Sequence, residues 1–280
     1  MPFAEGRGCR LHYEETGTGY PIVFAHEFGS DHREWETQIR FFSREYRCVT
    51  FAARGYPPSD VPQDEFLYGQ EFAVEDIAAV MHAANIHKAH LVGLSMGGFA
   101  TLLFGLRFPG MASALVVASA GTGAPKREHE AFKATCQERG NQLITQGWRG
   151  GLAEDTGHSP TRIQLKNKDP RGWTEFMTHL EDHSAIGSGL TMKRYQGDRE
   201  SIFDWEPQLR NMTVPTLLAV GDEDEPCIET NIFLKKVLPN AGLWMHPRTG
   251  HAINLEEPAA FNRACQDFFS TVERGRWQPG

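Results

Sequence analysis

His90-Leu91-Val92-Gly93-Leu94-Ser95-Met96-Gly97-Gly98-Phe99 is the stretch around which the chain is organised. An apolar run, Ala89 to Leu94, enters Gly93-x-Ser95-x-Gly97, and a helix-like apolar segment follows at once. That layout is strand, strained one-residue turn, helix, a nucleophile elbow that lifts a serine hydroxyl above the edge of a sheet. Glycines two residues to either side let strand and helix approach closely enough for the turn to form. The turn also aims the N-terminus of the following helix at whatever Ser95 attacks. By itself Gly-x-Ser-x-Gly is a weak pattern, and its weight depends on a base and an acid placed correctly downstream.

Outward from the elbow, strand and helix patterns alternate. Residues 9–16 alternate loosely and end in Gly17-Thr18-Gly19, as a strand and turn do. Pro21 to His26 is a continuous apolar run of the kind buried on both faces of a sheet. A helix is expected from about Asp31, with Trp35, Ile39 and Phe42 on one face, and Tyr46 to Ala53 reads as another buried strand. Glu71–Ile86 places Phe72, Ile77, Val80, Met81 and Ala84 along a helix face. Met96–Phe108 is apolar nearly all round and so belongs in the middle of the molecule, and Ala112–Ala118 is the next strand. Such alternation predicts a mostly parallel, doubly wound sheet with crossover helices.

From Thr122 to about Arg210 the alternation stops, and helix-like pieces rich in polar residues and aromatics replace it. This stretch carries 13 basic and 13 acidic residues, so the net charge of −8 resides in the remainder. An insertion of this length is expected to be a helical cap (122–210) on a core made of 1–121 and 211–280. Alternation resumes with a strand at Val214–Val220, a helix-like Asn231–Val237, a short strand Leu243–His246 and a last helix from Pro258 that buries Phe261, Cys265, Phe268 and Phe269.

Composition narrows the function classes. With 280 residues, 40% hydrophobic and 23% charged, one large α/β domain with a sizeable core is expected. The negative balance argues against nucleic acid or an anionic membrane as partner. Residues 1–6 show no basic stretch leading into an apolar core, and no window approaches 18 uninterrupted apolar residues. A cytoplasmic protein acting on a small-molecule substrate is therefore expected. Its oligomeric state is left open, a homodimer included. The five cysteines (Cys9, Cys48, Cys136, Cys227, Cys265) are odd in number and scattered, as free thiols in a reducing compartment would be.

A serine needs a base to take its proton and an acid to hold that base in the right tautomer. In a doubly wound sheet all three belong at the carboxyl ends of strands. Ser95 follows one strand, Asp224 a later one and His251 the last, in the chain order Ser, Asp, His. Together with His26 and Phe28 after the early strand, Arg54-Gly55 and Ser59 in the next loop, Val214-Pro215-Thr216-Leu217 leading to Gly221-x-x-Asp224, and Gly250-His251, this set resembles the α/β-hydrolases over essentially the whole chain. It looks closest to their capped group of esterases, enol-lactonases and cofactor-free haloperoxidases.

The resemblance implies Ser95 as nucleophile, His251 as general base and acid, and Asp224 orienting it. Backbone N–H groups of Phe28 and Met96 would form the oxyanion hole, a donor of which is typically worth about 3 kcal/mol in the transition state. No cofactor or metal is implied. Hydrolysis of an ester or lactone through an acyl-enzyme is the expected reaction. Carbon–carbon bond hydrolysis or perhydrolysis by the same triad, or a slow-turnover ligand sensor, are the alternatives. The aromatic-rich cap favours a small or medium apolar acyl group.

Asp222, Glu223 and Glu225 crowd the acid position and are expected to be solvated, while Asp224 fits the family's spacing. His12, His82, His87 and His129 are expected on the surface, and His158, His179 and His183 in solvated or structural roles in the cap. Two departures from the family pattern stand out. Glu27 occupies the place of a glycine beside the expected oxyanion site. It either points away or pairs with a cation, or it faces the pocket beside His26 and engages a water or a polar substrate group. Ala52 stands where the family has a structural aspartate, which threatens the packing of the loop 52–59.

Overall fold

The computed structural model describes residues 2–149 and 151–278. Strands β1 (Phe3–Gly6), β2 (Cys9–Thr16), β3 (Tyr20–Ala25), β4 (Tyr46–Phe51), β5 (Ala89–Leu94), β6 (Ala112–Ala118), β7 (Thr216–Gly221) and β8 (Ala241–His246) form one eight-stranded sheet in the order β1-β2-β4-β3-β5-β6-β7-β8. β1 and β2 run antiparallel at one edge, and every pairing from β4 to β8 is parallel. This is the α/β-hydrolase fold that the sequence predicts.

The helices are α1 (Glu36–Phe42), α2 (Gln70–Ala83), α3 (Met96–Arg107), α4 (Lys126–Gln146), α5 (Leu152–Gly157), α6 (Ile163–Lys168), α7 (Pro170–Asp182), α8 (Ala185–Leu190), α9 (Glu206–Leu209), α10 (Glu225–Val237), α11 (Ile253–Glu256) and α12 (Pro258–Glu273). The two faces of the sheet follow the period-2 rule of a strand. In β3, Ile22 and Phe24 join a core with Phe42, Phe261, Phe268 and Phe269 of α1 and α12. Val23 and Ala25 join the opposite core with Ile77, Val80, Phe99, Leu103 and Leu234 of α2, α3 and α10. Burial on both faces explains why the central strands read as apolar runs. α3 is buried along Met96–Gly105, as its all-round apolarity predicts.

Between β6 and β7 the chain is helical, α4 to α9, with a π-helical turn at Thr191–Gln196. This helical insert has a small core of its own: Leu143, Trp148, Leu152, Phe176, Met177 and Leu180. Several elements differ from expectation: α1 starts at Glu36 after a short 3-10 turn (His32–Trp35), β8 starts two residues before Leu243, and α11 has no counterpart in the sequence pattern. The short edge strand β1 has no counterpart in the sequence pattern, and α10 begins six residues before Asn231, with Pro226 in its first turn. Among the described residues no helix is long and apolar enough to cross a membrane.

The loop 52–59 is well held without the aspartate. Ser59 Oγ donates to the Ala52 carbonyl (2.6 Å) and accepts from the His12 N–H (2.8 Å). The buried Arg54 forks onto Asp76 of α2, with Nε–Oδ2 at 2.7 Å and Nη2–Oδ1 at 2.6 Å. The concern over its packing is therefore corrected: a cation on the loop and an acid on a helix replace an acid within the loop.

Candidate active site

Ser95 sits between β5 and α3 at φ +51°, a conformation non-glycine residues rarely adopt and one that costs on the order of 1–3 kcal/mol. It is locked there from both sides. Ser95 N–H donates to the Ala118 carbonyl of β6 (2.8 Å), and Phe99 N–H donates to the Ser95 carbonyl (2.9 Å). A Cβ on Gly97 would collide with the Ala25 and His26 carbonyls, and one on Gly93 with the Gly97 carbonyl. These contacts give the mechanical reason for both glycines.

His251 follows β8, and Asp224 caps the start of α10 after β7. His251 Nδ1–H donates to both Asp224 oxygens, at 3.0 and 2.9 Å, which leaves the Nε2 lone pair free. Burial lowers the basicity of His251, but the Asp224 carboxylate outweighs it and the imidazole is lifted above its ordinary range. Asp224, fully buried, is held below its ordinary range because His251 overcomes the cost of burial. Ser95 and His251 line one cavity of about 220 Å³, with Glu27, Phe28, Thr122, Phe132, Arg162, Met192, Gln196 and Arg199 among its walls. Among the described residues no direct hydrogen bond joins Ser95 to His251. Serine–histidine contacts of this kind are often loose until substrate arrives.

The backbone N–H groups of Phe28 and Met96 have no hydrogen-bond partner among the described residues. Met96 opens α3, where the helix dipole adds to the pull on an anion. Its carbonyl accepts from Tyr195 Oη (2.8 Å) of the insert, and the Phe28 carbonyl accepts from Tyr56 Oη (2.9 Å). Both loops are thus pinned by tyrosines.

Glu27 is buried, faces the cavity and is paired at once. Arg162 of the insert donates to it twice, with Nη1–Oε1 at 2.7 Å, and the second carboxylate oxygen lies 3.7 Å from His251 Nε2. Arg162 and His251 hold the carboxylate ionised against the cost of burial. The alternatives that the sequence poses for Glu27 are therefore both half met. His26 is different: Nδ1–H donates to the Glu27 carbonyl (2.7 Å) and Nε2 accepts from Ala53 N–H (2.9 Å). Burial pushes its pKa down to about 4, so it is a neutral strut, and it lies outside the walls of the Ser95 cavity.

Four contributors escaped the sequence pattern. Glu256 of α11 accepts from Gly250 N–H (2.6 Å) and Ala252 N–H (3.2 Å), clamping the residues on either side of His251. The Thr161 carbonyl of the insert accepts from His251 N–H (2.6 Å). Arg162 and Arg199 reach the cavity from the insert, where no motif marks them. The histidine expectations hold for His82 and His87, which are exposed, but His12 is buried in β2. It shares its strand face with exposed Arg10 and Glu14, opposite Leu11 and Tyr13, and Phe3 and His32 pack against it, contacts the sequence pattern does not show. His183 pairs with Asp31 (3.2 Å), and none of the insert's histidines lines the cavity. All five cysteines are buried and free. Asp224, Cys227 and His251 offer ligand atoms within 4.8 Å of one another, and burial and Asp224 push the Cys227 thiol well up.

Residues 22–264 match the model of the alpha/beta hydrolase family. The chain belongs to that family. Its alpha/beta hydrolase relatives include 3-oxoadipate enol-lactonase 1 of Acinetobacter baylyi, 25% identical, covering 90% of this chain and 89% of the relative. A 2-hydroxy-6-oxononadienedioate/2-hydroxy-6-oxononatrienedioate hydrolase of Burkholderia vietnamiensis is 27% identical, covering 94% and 92%. Among solved structures, the enol-lactonase of Burkholderia xenovorans LB400 superposes with a TM-score of 0.83 at 20% identity, covering 96% of this chain and all of that one. As a member of a family of hydrolases, the chain is a hydrolase-class protein.

Proposed function

We propose that the protein hydrolyses an ester or lactone through an acyl-enzyme on Ser95. The observation that carries this is the conjunction at one cavity: a serine on a strained elbow, an imidazole whose Nδ1 is taken by a buried carboxylate, and two N–H groups free to donate to an oxyanion.

In the first half-reaction His251 Nε2 takes the Ser95 hydroxyl proton as Oγ attacks the carbonyl carbon. The carbonyl oxygen becomes an oxyanion held by the Phe28 and Met96 N–H groups. As it collapses, the C–O bond to the leaving group breaks and His251 returns its proton to that oxygen. In the second half, His251 takes a proton from water, hydroxide oxygen bonds to the acyl carbon, and Ser95 regains the proton as the acid departs. Asp224 keeps the imidazole in the tautomer this cycle needs and stabilises it when charged. For a lactone the leaving oxygen stays tethered and the product is one hydroxy acid. The helices of 122–210 act as a cap that closes the cavity from water.

Hydrolysis of p-nitrophenyl esters across acyl lengths, with Ser95→Ala and His251→Ala in parallel, tests the reading. Wild-type turnover that falls by about 10³-fold or more in both variants is expected. Turnover unchanged in Ser95→Ala would overturn it. A second reading, carbon–carbon bond hydrolysis with the same residues, is favoured by the likeness to the Burkholderia vietnamiensis hydrolase. It predicts cleavage of a vinylogous 1,5-diketone acid by a protein inert to every ester.

A further inference from the structure

Most of the charge on the cavity wall is matched. Glu27 is taken up by Arg162, and Asp224 by His251. Arg199 is not. It follows the π-helical turn Thr191–Gln196, is 4% exposed and lines the same cavity as Ser95. Its Nη1 donates to Gln196 Oε1 and its Nη2 to the Thr122 carbonyl, both uncharged acceptors. Its guanidinium lies 3.6 Å from the centre of the Phe99 ring and 5.2 Å from that of Phe132. The acids beside it in sequence are engaged elsewhere: Asp198 pairs with Arg194 (2.6 Å), and Glu200 accepts from Trp205 Nε1 (2.7 Å). Burial alone drags its pKa down to about 10, and no carboxylate is among the groups that act on it. A buried cation with no counter-ion is costly, and a ligand that brings the missing charge relieves the cost.

We propose that Arg199, with Gln196 beside it, docks a carboxylate carried by the substrate at the end remote from the bond that Ser95 attacks. The substrate class is then an ester or lactone bearing a free carboxylate, a derivative of a dicarboxylic acid. A guanidinium has five N–H donors, of which two are spent here, and the rest suit the bidentate fork that carboxylates accept. Arg162 differs from Arg199 in that its charge is already matched by the Glu27 carboxylate, so an anionic group there would bring no missing counter-ion. Phe132 and Met192 supply apolar wall for the chain between the two ends. On this reading the acyl group is an apolar spacer with an anionic terminus.

The assignment rests on the acyl-transfer reading, and its test separates the two. Mono-p-nitrophenyl esters of adipate and pimelate are compared with their methyl-capped, uncharged counterparts. For the better length, wild-type kcat/KM is expected to favour the carboxylate by about ten-fold, one charge-assisted contact's worth, chiefly through KM. In Arg199→Gln that preference should vanish, and Arg199→Lys should keep part of it. A wild-type ratio of one or less at both lengths overturns the proposal and needs no variant to fold. If no ester of either kind is cleaved, the acyl reading fails. Arg199 is then judged by binding alone: adipate, but not dimethyl adipate, should raise the melting temperature of Ser95→Ala protein. No such shift at 10 mM adipate (about a hundred-fold above a 0.1 mM Kd) overturns the docking role.

Discussion

Glu27 places a carboxylate 3.7 Å from the nitrogen that must act as a base, and this has a measurable consequence. Its charge raises the basicity of His251, while Arg162 lowers it. Catalysis needs neutral imidazole, so kcat/KM should rise with pH through the His251 pKa, with a midpoint above the ordinary 6.5. In Glu27→Gln the anion is gone and Arg162 faces His251 uncompensated. Both changes disfavour the imidazolium, so the acid limb should move to lower pH, by about one unit. A limb that stays in place or moves up would show that Glu27 does not act on His251. Ser95, Asp224 and His251 were legible because each sits at a fixed offset from a strand end and a glycine. Arg162 was not, since it meets Glu27 across 135 positions of sequence and lies in a stretch without motif. Arg199 escaped for the same reason: an arginine in a polar helical segment looks like any solvated one until its burial is seen.

The elbow works as a junction of two elements rather than as a serine in a turn. α3 lies so close to β3 that Gly97 has no room for a methyl group beside the Ala25 carbonyl, and so close to β5 that Gly93 has none beside the Gly97 carbonyl. Gly97→Ala should cost about 3 kcal/mol or more in urea unfolding, since backbone atoms and not a flexible side chain stand in the way. Gly110→Ala, where a Cβ meets nothing within 4 Å, should be neutral or stabilising by up to about 1 kcal/mol. Equal losses at the two sites would disprove the close-approach account. At this scale the sequence pattern performs well where burial is two-sided. β6 spans Ala112–Ala118 as read, and α12 starts at Pro258 as read. It fails where the pattern is thin. β1 has four residues at an exposed edge, and the first turns of α10 bury Cys227, Thr230 and Asn231, whose small polar side chains give no apolar stripe.

For the whole molecule, the sequence indicates where the insert lies in the chain but not how it meets the core, because the contacts are made by single residues. Thr161 holds His251 N–H, Arg162 holds Glu27, Tyr195 holds the Met96 carbonyl and Lys168 pairs with Glu257 (2.7 Å). The insert is close to neutral, so the net charge of −8 lies on the rest of the chain, while the cavity wall includes a buried arginine with no carboxylate partner among the described residues. A carboxylate-bearing substrate is thus repelled at long range and attracted only at contact. Salt screens the first interaction well and the second poorly, because exposed charges beyond a Debye length fade while buried pairs persist. For the adipate monoester, kcat/KM should therefore rise about two-fold between 10 and 200 mM NaCl at pH 8, as the Debye length shrinks from about 30 Å to below 10 Å. The methyl-capped ester should show no such rise. A fall with salt for the anionic ester would mean that long-range attraction governs its entry, and that the negative exterior does not oppose it.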